Sequence, residues 1–587
     1  MMIILNYISR ILKIIGVEIF IIFIFILLIN NYIGNVDETI KADGIGYYDY
    51  LPSLFIHHDL IRKGIPNNQT SLLYDRINKL PEYVNYHNFK ADICSCGTAV
   101  LELPFFTWTY LTTVREGNSN DGYQLPFQRT IFHAAIFYLF LSIFFLKKTL
   151  RLFNIKYYVI FISQLLLVLA TGVTNYANYD AGFSHIYSLF AITTFIYFTF
   201  SFFRKRNLNH FIITCLLLGL IIIIRQVNIL ILFFIPFLAM TSENFRDGFM
   251  YLFRKWKILV LGILLLSGVL FIQCLLWYLQ TGTLYVYTYQ GFGFNFATPK
   301  LFKILFSYQK GLFVYTPVLF ISLFGLIWLA YKRKYYLLLT WISFFLILTY
   351  VLSSWWCWYY GASYGLRAYI DYYAVFFIPF ALLLDGIALK MKFAVIILSF
   401  LTIPLNIIQT YQYKEYILDW ASMDKEKYWK VFLRTADRYR GLFWKKNYDY
   451  SQYSTVKEIL IGNIGSSKNK VSLIYRINSH DIPDFDKVSL IQVLIDDVYD
   501  TRNDSKIILT INESKGIHNY YWSDPYLIHF AEKHFNEWQT GLCNYEITPI
   551  NDPKEKIVEL QVYSEKQNNN FKNVKLKFLV YKATINR

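Results

Sequence analysis

The chain has 587 residues, of which 55% are hydrophobic, 20% aromatic and only 17% charged, and its mean hydropathy is +0.34. Composition this apolar excludes a soluble globular protein and points to an integral membrane protein. The formal net charge of +17 lies in short cationic clusters between apolar runs, the pattern that sets membrane orientation. The lipid bilayer is therefore the expected partner, and nucleic acid is not.

Arg10 and Lys13 precede an apolar run at 14–33, which a polar loop follows in place of a small-residue cleavage site, so this reads as a retained span. Further apolar runs lie at 130–146, 157–174, 185–203, 209–224, 226–240, 258–280, 311–330, 335–352, 372–389 and 393–410, giving roughly eleven spans. Basic clusters at Lys147 to Lys156, Arg204 to Arg206, Arg246 to Lys257, Lys332 to Lys334 and Lys390 with Lys392 mark every second connection as cytoplasmic. The amino terminus is then inside, and the loops at 34–129, 173–184, 281–310 and 353–371 lie outside, with everything beyond 410. The weakest point is 209–240, which Arg225 splits into two short halves.

Beyond residue 410 the composition changes. Residues 411 to 446 mix aromatics with charges and read as a helical, interfacial connector. From about 455 the period becomes two: Val558, Leu560 and Val562 alternate with polar residues, as do Val574, Leu576, Phe578 and Val580 with Lys575 and Lys577. Similar runs at 471–477, 487–495 and 506–512, with a helix near 525–537, predict a small antiparallel sandwich. The expected organisation is a transmembrane domain over 1–410, an amphipathic connector over 411–454 and an extracytoplasmic β-rich domain over 455–587. The expected fold class is thus a polytopic α-helical membrane protein of about eleven transmembrane helices followed by a small extracytoplasmic β-sandwich-like domain.

The unusual polar residues gather on the outward face. Asp43, in Asp43-Gly44-Ile45-Gly46-Tyr47-Tyr48-Asp49, lies just past the first span, where a carboxylate is costly unless something cationic or hydrogen-bonding meets it. A solvated Asp-Gly turn is the plainer reading. Glu102 lies in the apolar, proline-broken Leu101-Glu102-Leu103-Pro104, and the 173–184 loop adds Asn175, Asn178 and Asp180 before Ser184 and His185, a histidine that reads as bonded to a neighbour. Lys300, Lys303, Lys310 and Arg367 are cations kept against the orientation rule, which calls for an anionic partner such as a lipid phosphate, although snorkelling to headgroups would also hold them there. The run from Trp355 and Trp356 to Tyr359 and Tyr360 is either an interfacial belt or an aromatic wall for a sugar or prenyl chain. The six cysteines are scattered, and Cys94-Ser-Cys96 would close a strained ring, so no disulfide framework or metal site is expected.

Taken together, Asp43-Gly44-Ile45-Gly46-Tyr47-Tyr48, Glu102-Leu103-Pro104-Phe105-Phe106, Ser184-His185, Lys310-Gly311-Leu312-Phe313-Val314-Tyr315-Thr316-Pro317 and Trp355-Trp356-Cys357-Trp358-Tyr359-Tyr360-Gly361 followed by Arg367 resemble the GT-C glycosyltransferases. This is the superfamily of polyprenyl-phosphate-sugar transferases that includes protein O-mannosyltransferases and lipid A aminoarabinose transferases. The likeness covers about residues 10 to 440 and is nearest to a bacterial family-39-like branch. It implies a metal-independent, inverting glycosyltransferase of the bacterial cytoplasmic (inner) membrane, with no cofactor. The donor would be a polyprenyl-phosphate sugar and the acceptor an extracytoplasmic glycan, lipid or protein. By that likeness Asp43 is the catalytic carboxylate, with Asp49 a substitute because Gly44 stands where the family has a second acid, and Glu102 or Asp180 supplies the further acid. Tyr47, Asp49, His185, Lys310, Trp356, Tyr359 and Arg367 would bind substrate. The alternative is a non-catalytic transporter, or a membrane anchor for a glycan-binding domain.

Overall fold

The computed structural model describes residues 16–28, 39–60, 83–86, 89–115, 121–289, 292–436, 439–443, 450–464, 471–499, 506–513, 516–523, 538–547, 556–563 and 571–582. They form two compact units, Met1–Lys414 with Trp420–Tyr428, and Glu415–Asp419 with Trp429–Arg587.

In the first unit the described residues of the apolar runs expected as spans are mainly helical, as backbone without water to bond must be. Six helices are long and apolar enough to cross a membrane: Leu125–Leu152, His185–Lys205, Trp256–Thr281, Tyr335–Ser353, Arg367–Gly386 and Leu389–Lys414. Gln226–Ala239 and Ser242–Arg254 meet at 115° and make up to seven if taken as one bent span, while Gly16–Leu28, Tyr157–Leu169, Leu208–Ile224 and Pro317–Tyr331 are shorter apolar helices. The larger number expected from the sequence counts those shorter helices as crossings. Burial ranks the six: 89% of the apolar window of Arg367–Gly386 is buried and 83% of that of His185–Lys205, against 11% for Trp256–Thr281. The first two are the centre of the bundle, and the last is a peripheral helix whose apolar side chains are left for lipid.

Two features of this unit place the polar residues. The Leu208–Ile224 helix ends at Arg225, whose backbone is extended at φ −150° and ψ 115°, and the chain resumes as a 3₁₀ helix over Gln226–Phe234. The split that Arg225 introduces in the sequence is therefore a break in the helix itself. The first loop folds into the short helices Asp43–Tyr48 and Tyr50–Phe55, a hairpin of β1 (Tyr83–Tyr86) and β2 (Phe89–Asp92), and the helix Gly97–Arg115, which is not among the six. A buried pair between Lys147 Nζ and Glu18 Oε2 at 2.5 Å, extended by the Gln164 amide to Glu18 Oε1 at 2.6 Å, ties Gly16–Leu28 to its neighbours.

The second unit is built on two four-stranded antiparallel sheets. Their strand orders are β3-β10-β5-β8 and β4-β9-β6-β7, where β3 is Tyr453–Ile464, β4 Val471–Asn478, β5 Val488–Tyr499, β6 Lys506–Glu513, β7 Gly516–Ser523, β8 Trp538–Glu546, β9 Ile557–Tyr563 and β10 Phe571–Tyr581. Val574, Leu576, Phe578 and Val580 of one sheet share a core with Val558, Leu560, Ile507 and Leu509 of the other. That shared core makes the pair a sandwich. The helix expected near 525–537 lies outside the described residues.

The helix expected over 411–446 is corrected. The Leu389–Lys414 helix ends first, and beyond it only Lys425–Val431 is α-helical among the described residues of this stretch. Tertiary contacts set the local conformation here. Tyr428 is buried against Tyr308 and Tyr315, and its hydroxyl accepts from the Gln409 amide at 2.8 Å.

Candidate functional site

Asp43 opens the helix Asp43–Tyr48, and its Oδ2 accepts from Arg367 Nη1 at 2.5 Å. The two residues are 324 positions apart, so the first loop and the 353–371 loop meet here. The motif glycines permit the approach from a third loop: a Cβ on Gly44 would lie 3.2 Å from the Gly182 backbone, and one on Gly182 would lie 2.8 Å from the Thr39 carbonyl. Arg367 also lies over the Phe183 ring at 5.5 Å.

That third loop brings in Asp180, which is buried, accepts from the Asn175 amide at 2.7 Å and faces Lys41 Nζ at 3.8 Å. Burial pushes the Asp180 carboxyl above its ordinary value, against the opposing pull of Lys41, Asn175 and Arg367. Asp43 acts on it in the same sense as burial. Asp43, Asp180, Arg367 and Lys41 therefore form one cluster of two carboxylates and two cations.

Next to it stands a second network that the sequence reading missed. Asp371 is fully buried; its Oδ1 lies 2.9 Å from His185 Nδ1, and its Oδ2 accepts from the Asn228 amide at 2.8 Å and from Arg225 Nη1 at 3.3 Å. His185 is thus bonded to a neighbour, but that neighbour is a carboxylate paired with an arginine. In the sequence Arg225 stands out only as the residue that splits the 209–240 apolar stretch into two halves. The signal that could have flagged it is the same one used for Lys310 and Arg367, a cation at the outward end of an apolar run.

Three tyrosines stand within electrostatic reach of the two networks. Tyr47 feels the charges of Arg225 and Asp43; Tyr289 feels those two and Arg367; Tyr360 feels both arginines. Desolvation raises all three phenols above the ordinary range, although Tyr289 keeps 38% of its surface exposed, so they stay protonated and can donate.

The other expected site residues are placed elsewhere. Asp49 is buried within the first loop, accepting from Ser53 Oγ at 3.0 Å and from the Tyr123 hydroxyl. Glu102 is buried beside Tyr48, Tyr138 and Tyr187, and burial pushes its carboxyl up to about 8. Lys310 is buried with Nζ donating to the Ser363 carbonyl, so it braces the loop in which Gly365, at φ 54°, turns the chain toward Arg367. Trp356 is 52% exposed and stacks on Phe292 at 4.4 Å. Tyr359 stands edge-on to Trp358 and beside Cys357. Cys94 and Cys96 are both free thiols. Among the described residues, no three His, Cys, Asp or Glu side chains come together as metal ligands would.

No protein-family model matches the chain, and no curated protein does. Among solved structures it is similar to the oligosaccharyltransferase of Archaeoglobus fulgidus. The apo form gives a TM-score of 0.38 at 11% identity over 71% of this chain and 59% of that one. The complex with Zn and sulfate gives 0.36 at 12% identity over 71% and 54%. The enzyme, AglB, in complex with an inhibitory peptide and a dolichol-phosphate gives 0.35 at 11% identity over 70% and 57%. The chain thus spans a little over half the length of these structures.

Proposed function

We propose that this protein is an integral membrane glycosyltransferase that moves a sugar from a polyprenyl-phosphate donor to an acceptor on the outer side of the cytoplasmic membrane. The observation that carries the reading is the Asp43–Arg367 pair, a carboxylate oriented by a guanidinium, with Tyr47 and Tyr289 within electrostatic reach, at one end of the bundle. The motif resemblance supports it, since the same Asp43 and Arg367 stand in the segments that resemble the GT-C enzymes.

The chemistry is a single displacement with inversion. The acceptor hydroxyl oxygen bonds to the anomeric carbon, its proton passes to Asp43, and the carbon–oxygen bond to phosphate breaks with its electron pair going to the phosphate oxygen. Arg367 engages Oδ2 and fixes the orientation of the carboxylate, leaving Oδ1 for the acceptor proton. Phosphate needs little protonation to leave, so cationic side chains suffice where a general acid would otherwise be needed. In this reading the amino terminus is cytoplasmic, the shorter helices cross the membrane to give about eleven spans, and the β-sandwich is extracytoplasmic and binds acceptor or glycan.

Radiolabelled polyprenyl-phosphate sugar added to membranes containing the protein should lose label to an acceptor. Movement of labelled lipid across vesicles without transfer would instead support the transporter.

A further inference from the structure

Of the four cations expected or found near the site, three are already committed within the protein: Arg367 Nη1 to Asp43, Lys310 Nζ to the Ser363 carbonyl and Lys41 Nζ to Asp180. Arg225 differs. Its contacts run through Nη1 alone, and they are imperfect. Nη1 lies 3.0 Å from His185 Nδ1 and 3.3 Å from Asp371 Oδ2, while Nδ1 also lies 2.9 Å from Asp371 Oδ1. A guanidinium can only donate, and a ring nitrogen that carries a proton toward Asp371 cannot accept one from Arg225. One of the two Nδ1 contacts is therefore not a hydrogen bond in either tautomer of the neutral ring. Asp371, meanwhile, is served at shorter range by Asn228.

Placing this arginine also takes a broken helix, which within a membrane bundle is tolerated where the freed backbone lines a cavity or is buried in protein. The Arg225 side chain is 15% exposed, and the phenols that feel its charge, Tyr47 and Tyr289, also feel that of Asp43. Neither of those two hydroxyls has a hydrogen-bond partner among the described residues, so two phenols within electrostatic reach of Arg225, and the guanidinium nitrogens other than Nη1, are donors with nothing yet to donate to.

We infer that Arg225, with the Tyr47 and Tyr289 hydroxyls, forms the cradle that takes the phosphate of the donor, and that Asp371 and Asn228 are positioning residues that hold Arg225 at the helix break. This rests on the proposed donor class. The phosphate oxygen that receives the electron pair of the breaking bond gains charge in the transition state, and a preorganised guanidinium stabilises that charge more than it does the ground state.

The test compares two probes on the full chain in detergent, farnesyl phosphate and farnesol, which differ only in the phosphate. The unaltered protein should bind the phosphate form more tightly. Arg225→Gln should reduce that preference roughly ten- to hundredfold, as loss of charge-assisted bonds does, with farnesol binding unchanged. Arg225→Lys should keep part of it. Tyr289→Phe, which removes one hydroxyl and little shape, should lower it by about two- to tenfold and stands in should the Arg225 variants fail to fold. A preference untouched in Arg225→Lys and Tyr289→Phe, or in a folded Arg225→Gln, overturns the inference alone. Equal binding of both probes by the unaltered protein overturns the donor class and with it the reading beneath.

Discussion

At the basic end of the helical unit, Arg204 donates to the Leu152 carbonyl at the end of its helix, and Arg206 to the Asn244 carbonyl and side chain in the first turn of Ser242–Arg254, so these two cations meet neutral groups at helix ends. At the opposite end Lys41, Arg225 and Arg367 each face a carboxylate. Capping cations cost little at an interface, because water can replace them. Ion pairs taken out of water recover their desolvation only with excellent geometry, so stability alone is a weak reason to keep them. On the proposed function, the difference marks the second end as the one that binds substrate. One buried pair, Lys147 with Glu18, lies toward the basic end and serves as the control, because it joins helices and borders none of the tyrosines of the site.

The largest effect expected from this contrast is at Asp43. Asp43→Asn keeps the shape and removes the proton acceptor, and transfer should fall about 100- to 10,000-fold with donor binding retained. Near-full transfer by this variant would move the base to Glu102 or Asp180. The two buried pairs give the next comparison. Asp371→Ala strands Arg225 and Glu18→Ala strands Lys147, and each should lower stability by about 3–5 kcal/mol in denaturant unfolding. Both should weaken the fold, but only the Asp371 variant should lose the preference for farnesyl phosphate over farnesol. Loss of that preference in Glu18→Ala would dissolve the distinction between the two ends.

The contrast also has a topological reading. Reporters fused after residues 205 and 450 should report cytoplasm and exterior, and the same answer from both would break the alternation of spans. The proposed alternation rests on the basic clusters in the sequence, and the contacts between Arg204 and Leu152, and between Lys392 and Tyr158, hold parts of those clusters against neighbouring helix ends. Asp43 and Arg367 were legible as residues, because a carboxylate and a misplaced cation both stand out beside apolar runs, but their pairing across 324 positions was not. Asp371 was hidden between apolar and tyrosine neighbours in Arg367–Tyr372, where nothing in the pattern separates a buried acid from an interfacial one. In the sandwich the strands read from alternation include the interior ones, β5, β6, β9 and β10, whereas β3, β7 and β8, which went unread as strands, are all edges. An edge strand packs one neighbour rather than two, so its sequence is held less strictly to a period of two.

The smallest effect, and the one that separates Glu102 from the site, is a dependence of stability on pH. Glu102 lies on Gly97–Arg115, fully buried beside three tyrosines, and its carboxyl is pushed from an ordinary 4.5 up to about 8. Between those values the folded chain holds a proton that the unfolded chain has released, so stability is fully present below about 4.5 and is lost as pH rises toward about 8. Thermal unfolding of the detergent-solubilised protein at pH 5, 6.5 and 8 should show a falling midpoint, and Glu102→Gln, which is neutral throughout, should flatten the fall. If Glu102 serves only the packing of the first loop, that variant keeps transfer while losing the slope. Should it instead lose transfer and keep the slope, the carboxyl belongs to the chemistry, and the tyrosines around it become a second polar pocket.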